Sequence, residues 1–259
     1  MEGDVGWVGL ALSMIAVVGA AAISYALGLR LERDVLGSSA RALVQLLIAG
    51  SALGLIIDDD APLALSWLWV AGIVVFAGIT VWRRVRDLPG ILPVAIGANA
   101  GTTAIGLGIA FGTGMFPVEG RTIVPIAGMV VGNAMKAGVV AAKRLRDEVA
   151  GQRDDIEARL ALGLPADEAA KPLSRGVLQT AISPQIENTR ALGIVFLPGA
   201  MTGLILAGVD PLDAVLVQLA LMYLILGAVV VTATLIVVGS RRRVFTSDHR
   251  LIPLRRSSD

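Results

Sequence analysis

The fold is decided by residues 193–222, GIVFLPGAMTGLILAGVDPLDAVLVQLALM, in which two apolar runs flank a turn at residues 208–211. The first run contains the helix-breaking cluster PGAMTG at residues 198–203. The second run carries a single amide, Gln218. A helix that only faces lipid needs neither feature. The pattern therefore indicates a transport pathway or a tight contact between helices.

The composition places the chain among membrane proteins. Of its 259 residues, 55% are hydrophobic and 17% are charged, against about 25% charged in a typical soluble domain. The chain has one His and no Cys. This excludes disulfides, thiolate metal sites and cysteine nucleophiles.

Seven apolar runs match the roughly 30 Å thickness of a hydrocarbon core, and the second of them lies at the short limit. They are residues 5–29, 41–57, 63–82, 91–116, 123–142, 191–208 and 212–239. The acidic start before the first run favours a retained span over a cleaved signal peptide. Between the first two runs, residues 30–39 predict a short amphipathic piece. The sequence thus predicts an all-α polytopic membrane protein with about seven transmembrane helices.

The charges between the runs alternate in sign. Basic clusters follow the odd runs, at Arg30/Arg33/Arg41, Arg83/Arg84/Arg86, Lys143/Arg144/Arg146 and Arg241/Arg242/Arg243. Acidic groups mark the other ends, at Glu2/Asp4, Asp58/Asp59/Asp60, Glu119 and Asp210/Asp213. The positive-inside rule then predicts an N-terminus outside and a C-terminus in the cytoplasm of a plasma (inner) membrane protein. We expect one permease domain over residues 1–245 and a short, polar, disordered cytoplasmic tail over 246–259.

The interiors of the seven runs lack Asp and Glu. Ion-coupled secondary transporters usually bury carboxylates to bind the coupling ion, so the pattern argues against that class. The chain also lacks HExxH and GxSxG motifs, which argues against the intramembrane enzymes that use them. If transport consumes energy, we expect that energy to come from a partner on the cytoplasmic side.

The cytoplasmic segment 143–190 balances eight basic against eight acidic residues, a pattern typical of solvated helices. It predicts one helix over residues 152–162, ended by Gly163, and a second over 167–181, ended at Ser183 and Pro184. Two interpretations of this helix–turn–helix stay open. It is either a plain solvated connector or a coupling element that docks in a groove of a soluble ATPase.

Several motifs carry a family resemblance. Glu157-Ala158 followed by Gly163 resembles the start of the EAA loop of bacterial ABC importer permeases, although the second half of that loop is not at its usual spacing. A resemblance to the FetB-type permease family covers residues 41–245. That family includes bacterial iron-export and plant aluminium-tolerance permeases. Its motifs stand here as RALVQL at 41–46, PIAGMVVGN at 125–133, EARLALG at 157–163 and LPGAMTG at 197–203, followed by Asp210-Pro211 and Gln218.

The resemblance implies the membrane subunit of an ABC exporter, for iron export or metal tolerance. ATP and Mg would bind a separate cytoplasmic ATPase, because this chain has no P-loop and we expect no cofactor on it. We expect a permease homodimer, because one seven-span subunit is too small to enclose a two-fold pathway alone. Three alternatives stay open: export of an anionic metabolite such as a sugar nucleotide, a stand-alone channel or carrier, and a membrane scaffold.

Two groups of candidate site residues follow. The ATPase-coupling candidates are Glu157, Leu160, Leu162 and Gly163. The candidates for the pathway or the dimer interface are Arg41, Gln45, Asn133, Lys136, Pro198, Gly199, Met201, Thr202, Gly203 and Gln218. No metal site is assigned, because the thioethers of Met129, Met135, Met201 and Met222 suit Cu(I) better than iron.

Each pathway candidate also has a structural explanation. Gly199 and Gly203 either form a close helix contact or belong to an unwound segment that faces the pathway. Asn133 and Gln218 either make interhelical hydrogen bonds or face the pathway. Lys136 either snorkels to the cytoplasm or lies in a cavity, where its charge would favour an anionic or chelated substrate over a free cation. The outer acidic groups either attract a departing cation or only set topology.

Overall fold

A computed structural model describes residues 6–56, 61–193, 197–246 and 250–254, and these residues are almost entirely helical. The chain divides into two units, Met1–Ala61 and Pro62–Asp259. The described helices are α1 (Trp7–Ala26), α2 (Glu32–Ile56), α3 (Leu63–Arg84), α4 (Ile91–Gly112), α5 (Gly120–Gly151), α6 (Arg153–Ala161), α7 (Ala166–Arg190), α8 (Gly199–Leu206) and α9 (Pro211–Arg241). The predicted all-α fold is confirmed.

The first unit is a hairpin of α1 and α2. The hydroxyl of Ser24 accepts a hydrogen bond from the backbone N–H of Leu31 at 3.1 Å and helps to close the turn. The separate amphipathic piece predicted for residues 30–39 is wrong, because α2 runs unbroken from Glu32. Glu32 and Asp34 lie in its first turn, where negative charge is favourable. The predicted acidic group Asp58/Asp59/Asp60 lies outside the described residues.

In the second unit, α3, α4, α5 and α9 form a bundle whose helices contact one another along their lengths. Helices α4 and α9 run antiparallel. Three contacts fix this direction: Arg243 to Gly90 at one end, Gly239 to Val94 one turn further, and Thr232 to Thr102 near the middle. Helix α9 therefore begins at the end of the bundle opposite the basic cluster that follows it.

Three glycines allow the bundle helices to approach closely. A Cβ atom added to Gly78 would overlap a side-chain carbon of Ile96, and one added to Gly138 would lie 2.7 Å from Ile236. A Cβ on Gly239 would lie 2.8 Å from Val94. These distances are too short for real carbon contacts. Small residues at such positions let membrane helices pack closely. This packing stabilises their association, because the hydrophobic effect does not drive helices together in lipid.

Short polar motifs set where two bundle helices begin. Glu119 and Thr122 form a capping box at the start of α5. The carboxylate of Asp210 accepts a hydrogen bond from the N–H of Leu212 at 2.9 Å, and Pro211 occupies the first position of α9. Each motif satisfies N–H groups that have no partner inside the helix. The turn at residues 208–211 therefore contains the start signal of α9.

Six of the described helices are long and apolar enough to cross a membrane. The sixth apolar run, residues 191–208, is not one spanning helix as predicted. Helix α7 ends at Arg190, Gly193 has a φ of 81°, and α8 has only 8 residues, or about 12 Å. Gly193 has a positive φ that an α-helix cannot contain, and Pro198 stands just before the start of α8. The exact span count and the orientation stay predictions.

The three basic clusters of this unit meet at one end. Arg146, at the end of α5, pairs with Asp87 at 3.5 Å, and Arg243, after α9, donates to the carbonyl of Gly90 at 2.7 Å. Both partners lie in the loop that follows α3. Residues after α3, α5 and α9 therefore share one face, as the alternating charge pattern requires.

Part of the tail is ordered, contrary to the prediction for residues 246–259. Phe245 and Leu251 form an isolated antiparallel bridge. The N–H of Thr246 donates to the carbonyl of Arg250 at 2.8 Å, and Leu251 is buried in the core near the basic end. The tail prediction relied on polar composition and overlooked the apolar residues Leu251, Ile252 and Leu254, of which Leu254 also packs against this core.

Candidate coupling and transport sites

The predicted cytoplasmic helix–turn–helix is present as α6 and α7. Gly163, with a φ of 86°, ends the first helix as predicted. The guanidinium of Arg159 donates to the carbonyl of Ala169 at 3.0 Å and joins the two helices. Ile156 is fully buried in the core at the basic end of the bundle. The hairpin is therefore packed against the bundle and is not a loose connector.

The second helix of the hairpin is longer than predicted. Ser183 and Pro184 do not end α7, which continues through both Pro172 and Pro184 to Arg190. A proline inside a helix removes one hydrogen bond. Ala181 and Gln185 are buried on either side of Pro184, so packing holds the helix through this loss.

The four coupling candidates do not share one environment. Glu157 is half-exposed and accepts a hydrogen bond from Arg153 at 2.7 Å within α6. Leu160 is partly buried and packs against the chain's own core, and its role in coupling stays a prediction. Leu162 is 80% exposed beside Gly163 at the turn, and Leu164, which the sequence analysis missed, is 37% exposed. The exposed leucines of the hairpin, Leu162 and Leu164, therefore lie at its tip, the turn between α6 and α7.

An ion pair ties α7 to the end of α9. The guanidinium of Arg241 donates to the carboxylate of Asp167 at 2.8 Å and to the hydroxyl of Ser174 at 3.2 Å. Arg242 lies 3.6 Å from the same carboxylate. The hydrogen bond from Arg241 lowers the pKa of Asp167 below its usual range. Local sequence patterns do not predict this pair, because Asp167 and Arg241 are 74 residues apart in the chain.

Asn133 lines a cavity of about 320 Å³ between α5, α7 and α9. The other lining residues are Gln185, Asn188, Ala191, Met222 and Ile225. The side-chain N–H of Asn133 donates to the carbonyl of Met129 in its own helix at 2.8 Å. Among the described residues its side chain forms no hydrogen bond to another helix. Sequence reasoning missed Gln185 and Asn188 because it ended α7 before them.

The Pro198–Gly203 cluster is open on one face. Pro198 stands just before α8, and its carbonyl accepts a hydrogen bond from the hydroxyl of Thr202 at 3.1 Å. A Cβ atom added at Gly199 or Gly203 would have no neighbour within 4 Å. The close helix contact expected for these two glycines is therefore not made within the described part of the chain. Met201 is half-buried.

The remaining pathway candidates are spread over both units. Lys136 is exposed on α5, and Gln218 is buried on α9 with a side-chain oxygen that has no hydrogen-bond partner among the described residues. The interhelical bond expected for Gln218 is absent there. Arg41 and Gln45 are exposed on α2, in the first unit. Across the described ranges, no three His, Cys, Asp or Glu side chains converge into a group that suits a metal.

Comparisons with known proteins give one consistent match. Residues 7–245 match the description "Uncharacterised protein family (UPF0014)". The chain is 36% identical to the UPF0014 membrane protein STAR2 of Oryza sativa subsp. japonica, over 83% of this chain and 75% of the relative. It is 33% identical to the protein ALUMINUM SENSITIVE 3 of Arabidopsis thaliana, over 88% and 83%. It is 32% identical to the probable iron export permease protein FetB of Escherichia coli (strain K12), over 94% and 93%. No solved structure matches.

Proposed function

Because the chain belongs to the UPF0014 family of multi-pass membrane proteins, we propose that it is the permease subunit of an ABC exporter in the plasma (inner) membrane. A separate cytoplasmic ATPase would bind ATP and Mg and drive export. Iron is the proposed cargo, by analogy with the bacterial relative named a probable iron export permease. The proposed role is transport, with hydrolysis left to the partner.

The observation that carries the proposal is the exposed tip of the α6–α7 hairpin. Leu162 is 80% exposed at the basic end of the bundle, the end that the positive-inside rule assigns to the cytoplasm. Leu162 and Leu164 expose apolar side chains two residues apart at the tip of a hairpin that packs against the bundle, a surface that suits docking into a groove on a partner. The anchors of the hairpin, buried Ile156 and the Arg159–Ala169 hydrogen bond, would let a force on the tip reach the bundle.

Helix α7 is the element that would carry this force. It has 25 residues, or about 37 Å, and joins the hairpin turn to the cavity wall at Gln185 and Asn188. Its first turn is held to α9 by the Asp167–Arg241 pair. Closure of the ATPase would move the turn between α6 and α7. Helix α7 would pass that movement to the cavity and then to α8.

We propose further that the open face of α8 contacts a second copy of the permease. Gly199 and Gly203 are four residues apart on one helix face, and neither has a neighbour in the described part of the chain. All eight residues of α8 remain at least partly exposed. Close approach of two such faces would form a homodimer by small-residue packing, with the pathway beside it.

The test is recruitment of an ABC ATPase from the same genome by the purified permease in nanodiscs. Leu162→Glu removes the burial of one leucine, about 1.5–3 kcal/mol, so we expect ATPase affinity to fall roughly tenfold to a hundredfold. Leu212→Glu is the matched control, because Leu212 is 68% exposed but lies at the opposite end of the bundle. We expect its affinity to match the wild type.

Three outcomes decide the matter. Loss of ATPase binding and of ATP-driven iron efflux in Leu162→Glu supports the proposal. Efflux that proceeds without any ATPase supports a stand-alone channel or carrier instead. Wild-type binding and efflux in Leu162→Glu would remove the hairpin tip from the mechanism.

A further inference from the structure

The cavity between α5, α7 and α9 has the size and position of a small-molecule site. Its volume of about 320 Å³ lies at the lower end of the range for ligand pockets. Asn133 lies ten residues before Lys143, or about 15 Å along α5 from the first residue of the basic cluster. Beside it, Ile182 of α7 packs against the α9 cluster that contains Met222 and Ile225.

Carboxamides provide the polar part of the wall. The side chains of Asn133, Gln185 and Asn188 line the cavity. Gln185 is only 7% exposed, yet its amide makes no hydrogen bond with the part of the chain that the structure describes. Gln185 is not among the residues with a fully buried, unpartnered side-chain atom, so its amide is open to the cavity. The amides can therefore both donate hydrogen bonds to a ligand in the cavity and accept them from it.

The lining carries no formal charge. Beside the three amides it presents Ala191, the thioether of Met222 and Ile225. A bare divalent cation placed there would lose its hydration without gaining a carboxylate, which is strongly unfavourable. Hard cations are normally held by several oxygen ligands, including carboxylates. This wall therefore disfavours a naked metal ion.

Lys136 places a positive charge near the cavity. It follows Asn133 by three residues on α5, so the two side chains are neighbours on the helix surface. Lys136 is exposed, and the described part of the chain offers it no ion-pair partner. A positive charge beside the cavity repels cations and attracts anions.

We propose that this amide-lined cavity is the cargo site, and that cargo occupies it as an oxygen-rich species of neutral or negative charge, not as a bare cation. The inference rests on the proposed export function, because it treats the cavity as part of the export route. Two sources fit this chemistry: a metal held in an oxygen-donor organic chelate, and an organic acid without metal. The carboxamides would hydrogen-bond the oxygens of either, and Lys136 would offset their charge.

The experiment measures binding by calorimetry to the permease alone in nanodiscs, without any ATPase. The probes are Fe²⁺ under anaerobic conditions, Fe³⁺–citrate, and citrate. We expect Fe³⁺–citrate to bind more tightly than about 1 mM and Fe²⁺ at least about tenfold more weakly. Equal binding of citrate alone would identify the organic acid as the cargo and supports the proposal. Failure of both citrate forms to bind, or tighter binding of Fe²⁺, would overturn it.

Substitutions in α7 assign the binding to the cavity. Gln185→Leu removes the unpartnered amide, and we expect Fe³⁺–citrate affinity to fall about tenfold. Gln179→Leu is the matched control, because Gln179 is exposed on the same helix and does not line the cavity. If Gln185→Leu binds as the wild type does, or if Gln179→Leu loses as much affinity, the site lies elsewhere.

A change of selectivity separates a cargo role from a structural one. Gln185→Glu adds a carboxylate to the wall, so we expect Fe²⁺ to bind more tightly and citrate more weakly, each by about tenfold. Gln179→Glu should change neither. A variant that loses affinity for all probes equally would indicate a structural role and contradict the proposal.

The binding assay also separates this inference from the proposed function. Cavity binding that survives while no ATPase is recruited would refute the ABC function and keep the cargo site. ATP-driven iron efflux by a permease whose cavity binds none of the probes would refute the cargo site and keep the ABC function.

Discussion

The bundle and the arm inserted between α5 and α9 differ in whether their glycines lie against a neighbouring helix. In the bundle formed by α3, α4, α5 and α9, Gly78, Gly138 and Gly239 lie where a side chain would collide with a neighbouring helix. In the arm formed by α6, α7 and α8, Gly199 and Gly203 face open space. These three bundle glycines therefore stabilise the subunit itself. Gly199 and Gly203 make no such contact within the described chain, which leaves them available to the second copy proposed above.

Burial distinguishes α8 from the rest of the arm, because α7 buries apolar residues such as Leu173 and Val177 in the core. The bundle helices supply most of the two larger apolar cores, whereas α8 contributes no buried residue. In membranes, where packing replaces the hydrophobic effect between helices, such an unpacked element adds little to subunit stability. It is instead available for a partner or a pathway. The predictions below test this division between stability and assembly.

The largest expected effect is Gly138→Leu, in the bundle. The new side chain would overlap Ile236, which lies 2.7 Å from a Cβ at this position, so we expect a destabilisation of about 1–3 kcal/mol or more. Thermal unfolding in detergent measures it. Gly128→Leu is the control on the same helix, because a Cβ there has no neighbour within 4 Å. Equal midpoints for the two variants would break the comparison.

The next effect is Gly203→Leu, in the arm. We expect wild-type thermal stability, but self-association weakened about tenfold to a hundredfold by the added bulk at the proposed dimer contact. Analytical ultracentrifugation in detergent measures the dimer. Gly72→Leu is the control, because Gly72 is also open but lies on α3 of the bundle. A Gly203→Leu subunit that unfolds early would place the arm glycines in the stabilising class.

A smaller effect is expected for Gly163→Ala, at the hairpin turn. Gly163 has a φ of 86°, which disfavours any residue with a Cβ, so we expect a local cost of about 1 kcal/mol. Hydrogen exchange of the turn between α6 and α7 should rise about fivefold, while the bundle stays protected. Faster exchange throughout the bundle would show that the hairpin is part of the stabilising core.

The smallest effect is expected for the Asp167–Arg241 pair, because the Asp167 side chain is 35% exposed. The pKa of Asp167 is lowered in the folded state, so its contribution is present above the usual Asp value of about 3.9 and is lost as pH falls through the folded value. We expect Asp167→Asn to increase protease cleavage of α7 at pH 7 and to act progressively less as the pH falls through the folded pKa of Asp167. An effect that does not decline with falling pH would exclude the ion pair as the cause.

Hydropathy predicts most of the fold because six of the seven long apolar runs become helices of membrane-spanning length among the described residues. The start of α9 at Asp210 and the end of α6 at Gly163 follow from local chemistry, namely a capping carboxylate and a residue that tolerates positive φ. Local rules fail where packing overrides them. Helix α7 continues past Pro184 because its neighbours are buried against the bundle.

The candidate sites were less predictable than the fold. The cavity at Gln185 exists only because α5, α7 and α9 meet, and no local pattern reports such a meeting. Leu160 and Leu162 look alike in sequence, but one packs inward and the other is exposed. Gly199 and Gly203 stay predicted site residues. Their spacing could not say whether the partner is inside or outside the subunit.

One measurement tests directly whether the open face of α8 meets a second copy. The chain has no Cys, so a single Gly203→Cys substitution introduces the sole thiol. Two such residues form a disulfide only if their Cα atoms approach within about 7 Å. We expect oxidation in membranes to link Gly203→Cys subunits into dimers, while Gly72→Cys subunits stay monomeric. Monomeric Gly203→Cys subunits in a complex that still exports cargo, or equal linkage of the Gly72→Cys control, would contradict the account.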